Sequence, residues 1–133
     1  MPISSRDDWL IRELQVLGAV IARMRGLKGG GQLHEARQAL DDAEGELLGP
    51  LAGVVPRLDS ATAAHIVAEP RRIAAWARLL HERADLLRLA GDEAGAAALE
   101  QRAAELAAEG WARAEGFEAP VRELLGPLAP PNG

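Results

Sequence analysis

The sequence contains no cysteine and no tyrosine, and it has only four aromatic residues. The absence of cysteine excludes disulfide bonds and zinc sites built from thiolates. The aromatic residues are Trp9, Trp76, Trp111 and Phe117. A core for this chain must therefore consist mainly of leucine and alanine, with the three indoles as its largest side chains.

Long apolar runs are also lacking. The longest run covers residues 16–22 between Arg12 and Arg23, which is far shorter than the roughly 20 residues that span a bilayer. The first residues carry acids where a secretory signal would begin with basic residues. We therefore expect a cytoplasmic protein without a membrane span.

Basic residues are scarcer than acidic ones, with 15 lysines and arginines against 20 aspartates and glutamates, for a net charge of −5. Proteins that bind nucleic acid generally carry a basic surplus, so we expect no nucleic-acid partner. Arginine provides every basic residue except Lys28. Together with the excess of alanine and glycine, this composition is typical of a GC-rich bacterial genome.

Apolar residues recur at spacings of three and four along most of the chain, which indicates amphipathic helices. We predict helices over residues 7–27, 32–48, 60–68, 71–90 and 92–111, with a last turn over 120–125. Glycine and proline separate these segments. The sequence thus predicts an all-α fold, with one helical domain over residues 1–126 and a loose tail over residues 127–133.

Two of these segments read as helical hairpins, over residues 14–48 and 75–109. In each hairpin the first helix is rich in arginine and the second is rich in acids. Opposite charge favours pairing, although exposed pairs contribute only about 0 to 1 kcal/mol each. We expect two antiparallel helix pairs within a bundle or short solenoid of about five helices.

The second hairpin resembles a tetratricopeptide repeat. The matching residues are Leu80, Ala84 and Leu87 on its first helix, Gly91 at the turn, and Ala96 and Ala103 on its second helix. Glu100 stands where the repeat normally has an aromatic residue. The first hairpin matches only in its second helix, through Ala36, Leu40 and Ala43.

The whole layout is similar to an uncharacterised bacterial family of small helical proteins that resemble tetratricopeptide repeats, a domain of unknown function. The likeness covers residues 7–115 and rests on Arg25–Lys28, Glu35–Ala36, Leu47–Gly49 and Ala90–Ala94. The resemblance implies helical hairpins and brings no catalytic residues with it.

The first helix carries more apolar surface than one neighbour can cover. A stripe of Leu and Ile residues runs along one side, and Trp9, Val16 and Val20 lie on another. Either the helix over residues 71–90 or another chain must cover the remainder. We therefore predict that Trp9, Val16 and Val20 belong to a partner interface, with a homodimer as one form of it.

The densest basic region contains Arg71, Arg72, Arg78, Arg83 and Arg88. Arg71 and Arg78 could share a face and bind an acidic partner peptide. Alternatively, Glu82, Asp85 and the acidic helix that follows neutralise the arginines inside the protein.

His81 and Asp85 lie one helical turn apart and could hold a metal ion, although no further ligand set is evident. The same pair also fits a solvated helix face.

The sequence offers no nucleophile with a paired base, so we predict no enzyme, no cofactor and no metal. The function predicted is a non-catalytic protein–protein interaction module, either an adaptor or a small assembly subunit. The alternatives are a helical bundle that binds a small ligand or metal, and membrane-surface association through the first helix.

Overall fold

The computed structural model describes the backbone of residues 5–128 and the side chains of residues 10–128. This part of the chain contains six α-helices and no strand, which confirms the all-α prediction. The helices are α1 (Ser5–Gly29), α2 (Leu33–Leu48), α3 (Ser60–Val67), α4 (Pro70–Leu89), α5 (Glu93–Arg113) and α6 (Ala119–Leu125). Short 3-10 turns occupy Gly49–Gly53, Val55–Arg57 and Gly126–Leu128. Within the described residues, no helix is both long and apolar enough to cross a bilayer.

Local signals begin three of the helices within one residue of the predicted starts. The Asp59 carboxylate accepts a hydrogen bond from the Thr62 amide at the start of α3, and Asp92 accepts one from Gly95 at the start of α5. Pro70 is the first residue of α4, where its missing N–H has no cost. The first helix is longer than predicted, because it begins at Ser5 and continues to Gly29.

Helix α4 lies at the centre of the bundle. Every residue from Ile73 to Leu80 is buried, and α4 packs against α5, α2, α6 and α1. The three alanines among these eight residues let neighbouring helices approach closely. The two predicted pairs, α1 with α2 and α4 with α5, are both in contact.

Helices α4 and α5 approach closely at Gly110. A Cβ placed on this glycine would stand 3.4 Å from the Pro70 carbonyl oxygen and 3.6 Å from Ile73 Cγ2. The end of α5 therefore packs on the start of α4, as an antiparallel pair requires. Gly110 is buried, and α5 continues to Arg113, two residues beyond the predicted end.

Helix α1 is covered by three neighbours. Leu14, Leu17, Ile21 and Met24 are buried against the common core, and α1 contacts α2, α4 and α6. Helix α6, which the sequence predicted only as a last turn, thus closes one side of α1. The tail predicted as loose begins within the final 3-10 turn, where Leu128 still packs against the core, and residues 129–133 lie outside the described part of the chain.

Candidate functional site

An apolar groove of about 270 Å³ runs between α1 and α2. Its floor consists of the buried side chains of Leu17, Ala43 and Leu47. Val16 stands at its edge with 52% of its surface exposed, and Val20 is partly buried beside it. The groove therefore offers solvent an apolar surface that the fold itself does not cover.

The groove arises from the spacing of residues on both helices. On α1 its lining residues recur every three or four positions and so share one face; they are Glu13, Val16, Leu17, Val20 and Arg23. On α2 the facing positions include Ala39 and Ala43. Because alanine has only a methyl side chain, these two positions leave the space between the helices unfilled.

The two ends of the groove differ in charge. The chain reverses through Gly30–Gln32, so residues early in α1 face residues late in α2. Glu13 and Glu46 therefore share one end, whereas Arg23 lies at the other end beside Ala39. Glu13 and Arg23 are ten residues apart on one helix, or about 15 Å, which is too far for them to form an ion pair with each other.

The five residues predicted for a partner interface do not form one surface. Val16 and Val20 lie together in the groove, and the side chain of Trp9 falls outside the described residues. Arg71 and Arg78 lie on α4, away from the groove. Arg71 is half-buried, with its guanidinium 3.3 Å from Glu69 and 3.4 Å from Glu118.

Arg78 is not a surface residue, and its prediction as one is wrong. Only 4% of it is exposed. Its Nη1 donates a hydrogen bond to the Leu124 carbonyl oxygen at 2.9 Å, and its Nη2 lies 3.6 Å from Glu82 Oε1. The last carbonyls of a helix have no partner within the helix, so Arg78 caps the C-terminus of α6 from inside the core.

Two further arginines of the basic region, Arg83 and Arg88, bind acids on neighbouring helices. Arg83 lies 2.9 Å from Asp41 of α2, and Arg88 binds both Glu93 and Glu100 of α5. The hydrogen bond from Arg88 holds the pKa of Glu100 below its ordinary value. The ion pair to α4 thus involves Glu100, the residue at which the predicted likeness to a tetratricopeptide repeat expects an aromatic side chain. These contacts support internal neutralisation of the basic region.

Lys28 completes a charge cluster that the sequence analysis missed. Its Nζ lies 3.5 Å from Glu82 Oε1 and 3.5 Å from Asp85 Oδ2. Glu82 is buried, so this cluster ties the end of α1 to α4. The one available signal was that Lys28 is the single lysine of the chain.

The same cluster contains the residues considered for a metal site. Possible ligand atoms of His81, Glu82 and Asp85 lie within 4.8 Å of one another. However, the Lys28 ammonium already lies 3.5 Å from both carboxylates, so a divalent ion there would lie beside a positive charge. The geometry is that of an ion-pair network that holds two helices together.

A second cleft, of about 310 Å³, lies between α1, α4 and α6. Leu14, Gly18 and Ile21 line it from α1, while Arg78 and Leu124 line it from the opposite side. The sequence did not predict this cleft, because nothing local indicates that α6 packs beside α1.

No family model, curated protein or solved structure matches this chain. The resemblance to proteins like tetratricopeptide repeats therefore stays a prediction.

Proposed function

We propose that this protein is a non-catalytic interaction module that binds an α-helix in the groove between α1 and α2. The observation that carries this proposal is the exposure of Val16 at the edge of a groove whose floor is apolar. Amphipathic helices commonly bind by laying an apolar stripe into such a groove. In the cell the protein would act as an adaptor or as a small assembly subunit.

The energetics of Val16 favour this reading. Complete burial of a valine side chain gains about 1.5 to 3 kcal/mol relative to full exposure. Because 52% of Val16 is exposed, covering it would supply about half of that gain. Val20 and the groove floor would extend the same apolar contact along α1.

The charges around the groove favour a defined orientation of the bound helix. The lining residues include one base, Arg23, and three acids, Glu13, Asp42 and Glu46. Charge complementarity of this kind fixes the register of a complex more than it raises its affinity. We propose no catalytic role, because the floor is apolar and the four charged residues lie along the rim. A cytoplasmic location is part of the proposal, and fluorescence microscopy of a tagged protein tests it.

Site-specific photocrosslinking tests the proposal directly. A photoreactive amino acid replaces Val16 in one variant and Val54 in a matched control. Both valines are about half exposed, at 52% and 50%, but Val54 lies outside the groove, between two 3-10 turns. After irradiation in cells of the source organism, mass spectrometry identifies the adducts.

We expect a specific protein adduct at position 16 and only background at position 54. Val16→Asp in a tagged chain should also remove the same partner from a pull-down, whereas Val54→Asp should retain it. Equal adducts at both positions, or none at position 16, would contradict the proposal.

A further inference from the structure

We infer that the helix bound in this groove is α1 of a second copy of the chain, which gives a two-fold symmetric dimer. The inference rests on the proposed function, because it uses the same groove and names its occupant. In such a dimer each α1 would lie antiparallel to its counterpart and occupy the groove of the other copy.

The arrangement of the groove residues on α1 carries the inference. Apart from Leu17 on the floor, the lining residues of α1 are Glu13, Val16, Val20 and Arg23. They are placed symmetrically about position 18, since 13 pairs with 23 and 16 pairs with 20. In an antiparallel pair whose two-fold axis crosses α1 at position 18, each residue before that position faces the residue equally far after it on the second copy. An axis at Gly18 would therefore set Glu13 against Arg23 of the second copy, and Val16 against Val20 of the second copy.

The polarity of the groove gives the same orientation. One end contains Glu13 and Glu46, whereas the other contains Arg23, with Asp42 one helical turn from Ala39. Within residues 10–128, Glu13, Glu46 and Arg23 form no ion pair. An antiparallel second copy would place its Arg23 at the acidic end and its Glu13 beside Arg23. A parallel copy would instead bring like charges together.

Position 18 gives only the height of the two-fold axis along α1. Gly18 itself lines the cleft between α1, α4 and α6, so the contact across the axis would be made by Val16 and Val20, which line the groove.

Charge exchange provides the test. Sedimentation equilibrium of the full chain measures the dimer dissociation constant for wild type, Glu13→Arg and Arg23→Glu. Each single variant would place like charges opposite each other twice in the dimer, so each should weaken dimerisation by about tenfold or more. An equimolar mixture of the two variants should restore association, because a heterodimer pairs Arg with Glu at both contacts.

Arg25→Glu is the matched control, because it makes the same charge change on α1 at a residue that does not line this groove. It should dimerise like wild type. Circular dichroism melts establish that every variant is folded before sedimentation is interpreted.

The outcomes separate this inference from the proposed function. A wild type that is monomeric at all concentrations overturns the second-copy inference, and so does a mixture of the two variants that fails to associate. If the Val16 crosslink then joins a different protein, the proposed function stands without the dimer. If the crosslink joins two copies of this chain and charge exchange restores association, both are supported.

Discussion

The indole N–H of Trp76 donates a hydrogen bond to Glu44 Oε2 at 3.2 Å, which joins the two hairpins at the centre of the bundle. The Arg102 guanidinium of α5 lies 5.5 Å from the centre of the same ring. Trp76 thus contacts charged groups on α2 and α5, two of the helices that pack against α4, although only 1% of it is exposed. One side chain fills the core and satisfies polar groups from two helices.

Two replacements of Trp76 should therefore distinguish the contribution of packing to stability from that of the hydrogen bond. We expect Trp76→Ala to lower the free energy of unfolding by about 3 to 5 kcal/mol, since it leaves a large cavity. Trp76→Phe keeps most of the buried ring but removes the donor, so it should cost about 1 to 3 kcal/mol. Urea denaturation measures both. A loss below about 1 kcal/mol for the alanine variant would show that Trp76 is not a core residue.

We expect Lys28 and Glu82 to contribute to the free energy of unfolding as a coupled pair. Lys28→Met removes one of the two cations beside a buried carboxylate, and we expect it to lower the free energy of unfolding by about 1 to 3 kcal/mol. The double variant Lys28→Met/Glu82→Met removes both charges of the pair. A double-mutant cycle should then give a coupling energy of about 0.5 to 3 kcal/mol. Strictly additive single effects would mean that the pair does not stabilise the fold.

The starts of α3 and α5 and the apolar surplus of α1 were predictable because their signals are local. A capping acid such as Asp59 or Asp92 satisfies an amide only three residues away, so the sequence itself contains both partners. Val16 and Val20 were singled out because α1 has more apolar residues than one stripe requires. That count does not depend on knowing which helix lies opposite.

The burial of Arg78 was not predictable, because its partner is distant in the sequence. Its hydrogen-bond acceptor is the carbonyl oxygen of Leu124, 46 residues away. Every helix ends in unpaired carbonyls, and no local pattern shows which helix end will meet the central helix. The cluster of Lys28 and Glu82 has the same origin, because it depends on where the end of α1 meets α4.

Two helical glycines should respond in opposite ways to a larger side chain. A Cβ at Gly45 of α2 would meet nothing within 4 Å, whereas one at Gly110 would contact the backbone of α4. We expect Gly45→Leu to raise the free energy of unfolding by about 0.5 to 1 kcal/mol through helix propensity. Gly110→Leu should lower it by about 1 to 3 kcal/mol, because it forces α4 and α5 apart. Thermal and urea melts compare them. Equal effects at the two positions would contradict the close approach at Gly110.

The cap of α3 should make part of the stability dependent on pH. Hydrogen bonds from Thr62 hold the pKa of Asp59 below its ordinary value, because they stabilise the charged carboxylate. A lowered folded-state pKa means that this contribution is present above the unfolded-state pKa of about 3.9 and is lost as pH falls through the folded-state value. Asp59→Ala should therefore be less stable than wild type at about pH 7, and the difference should shrink as the pH falls below about 4.

Asp59→Asn is the matched control, since its amide oxygen can still accept the bond but carries no titrating charge. Urea denaturation at several pH values measures each variant against wild type, and a gap between alanine variant and wild type that stays constant down to about pH 2.5 would show that the charged cap does not contribute.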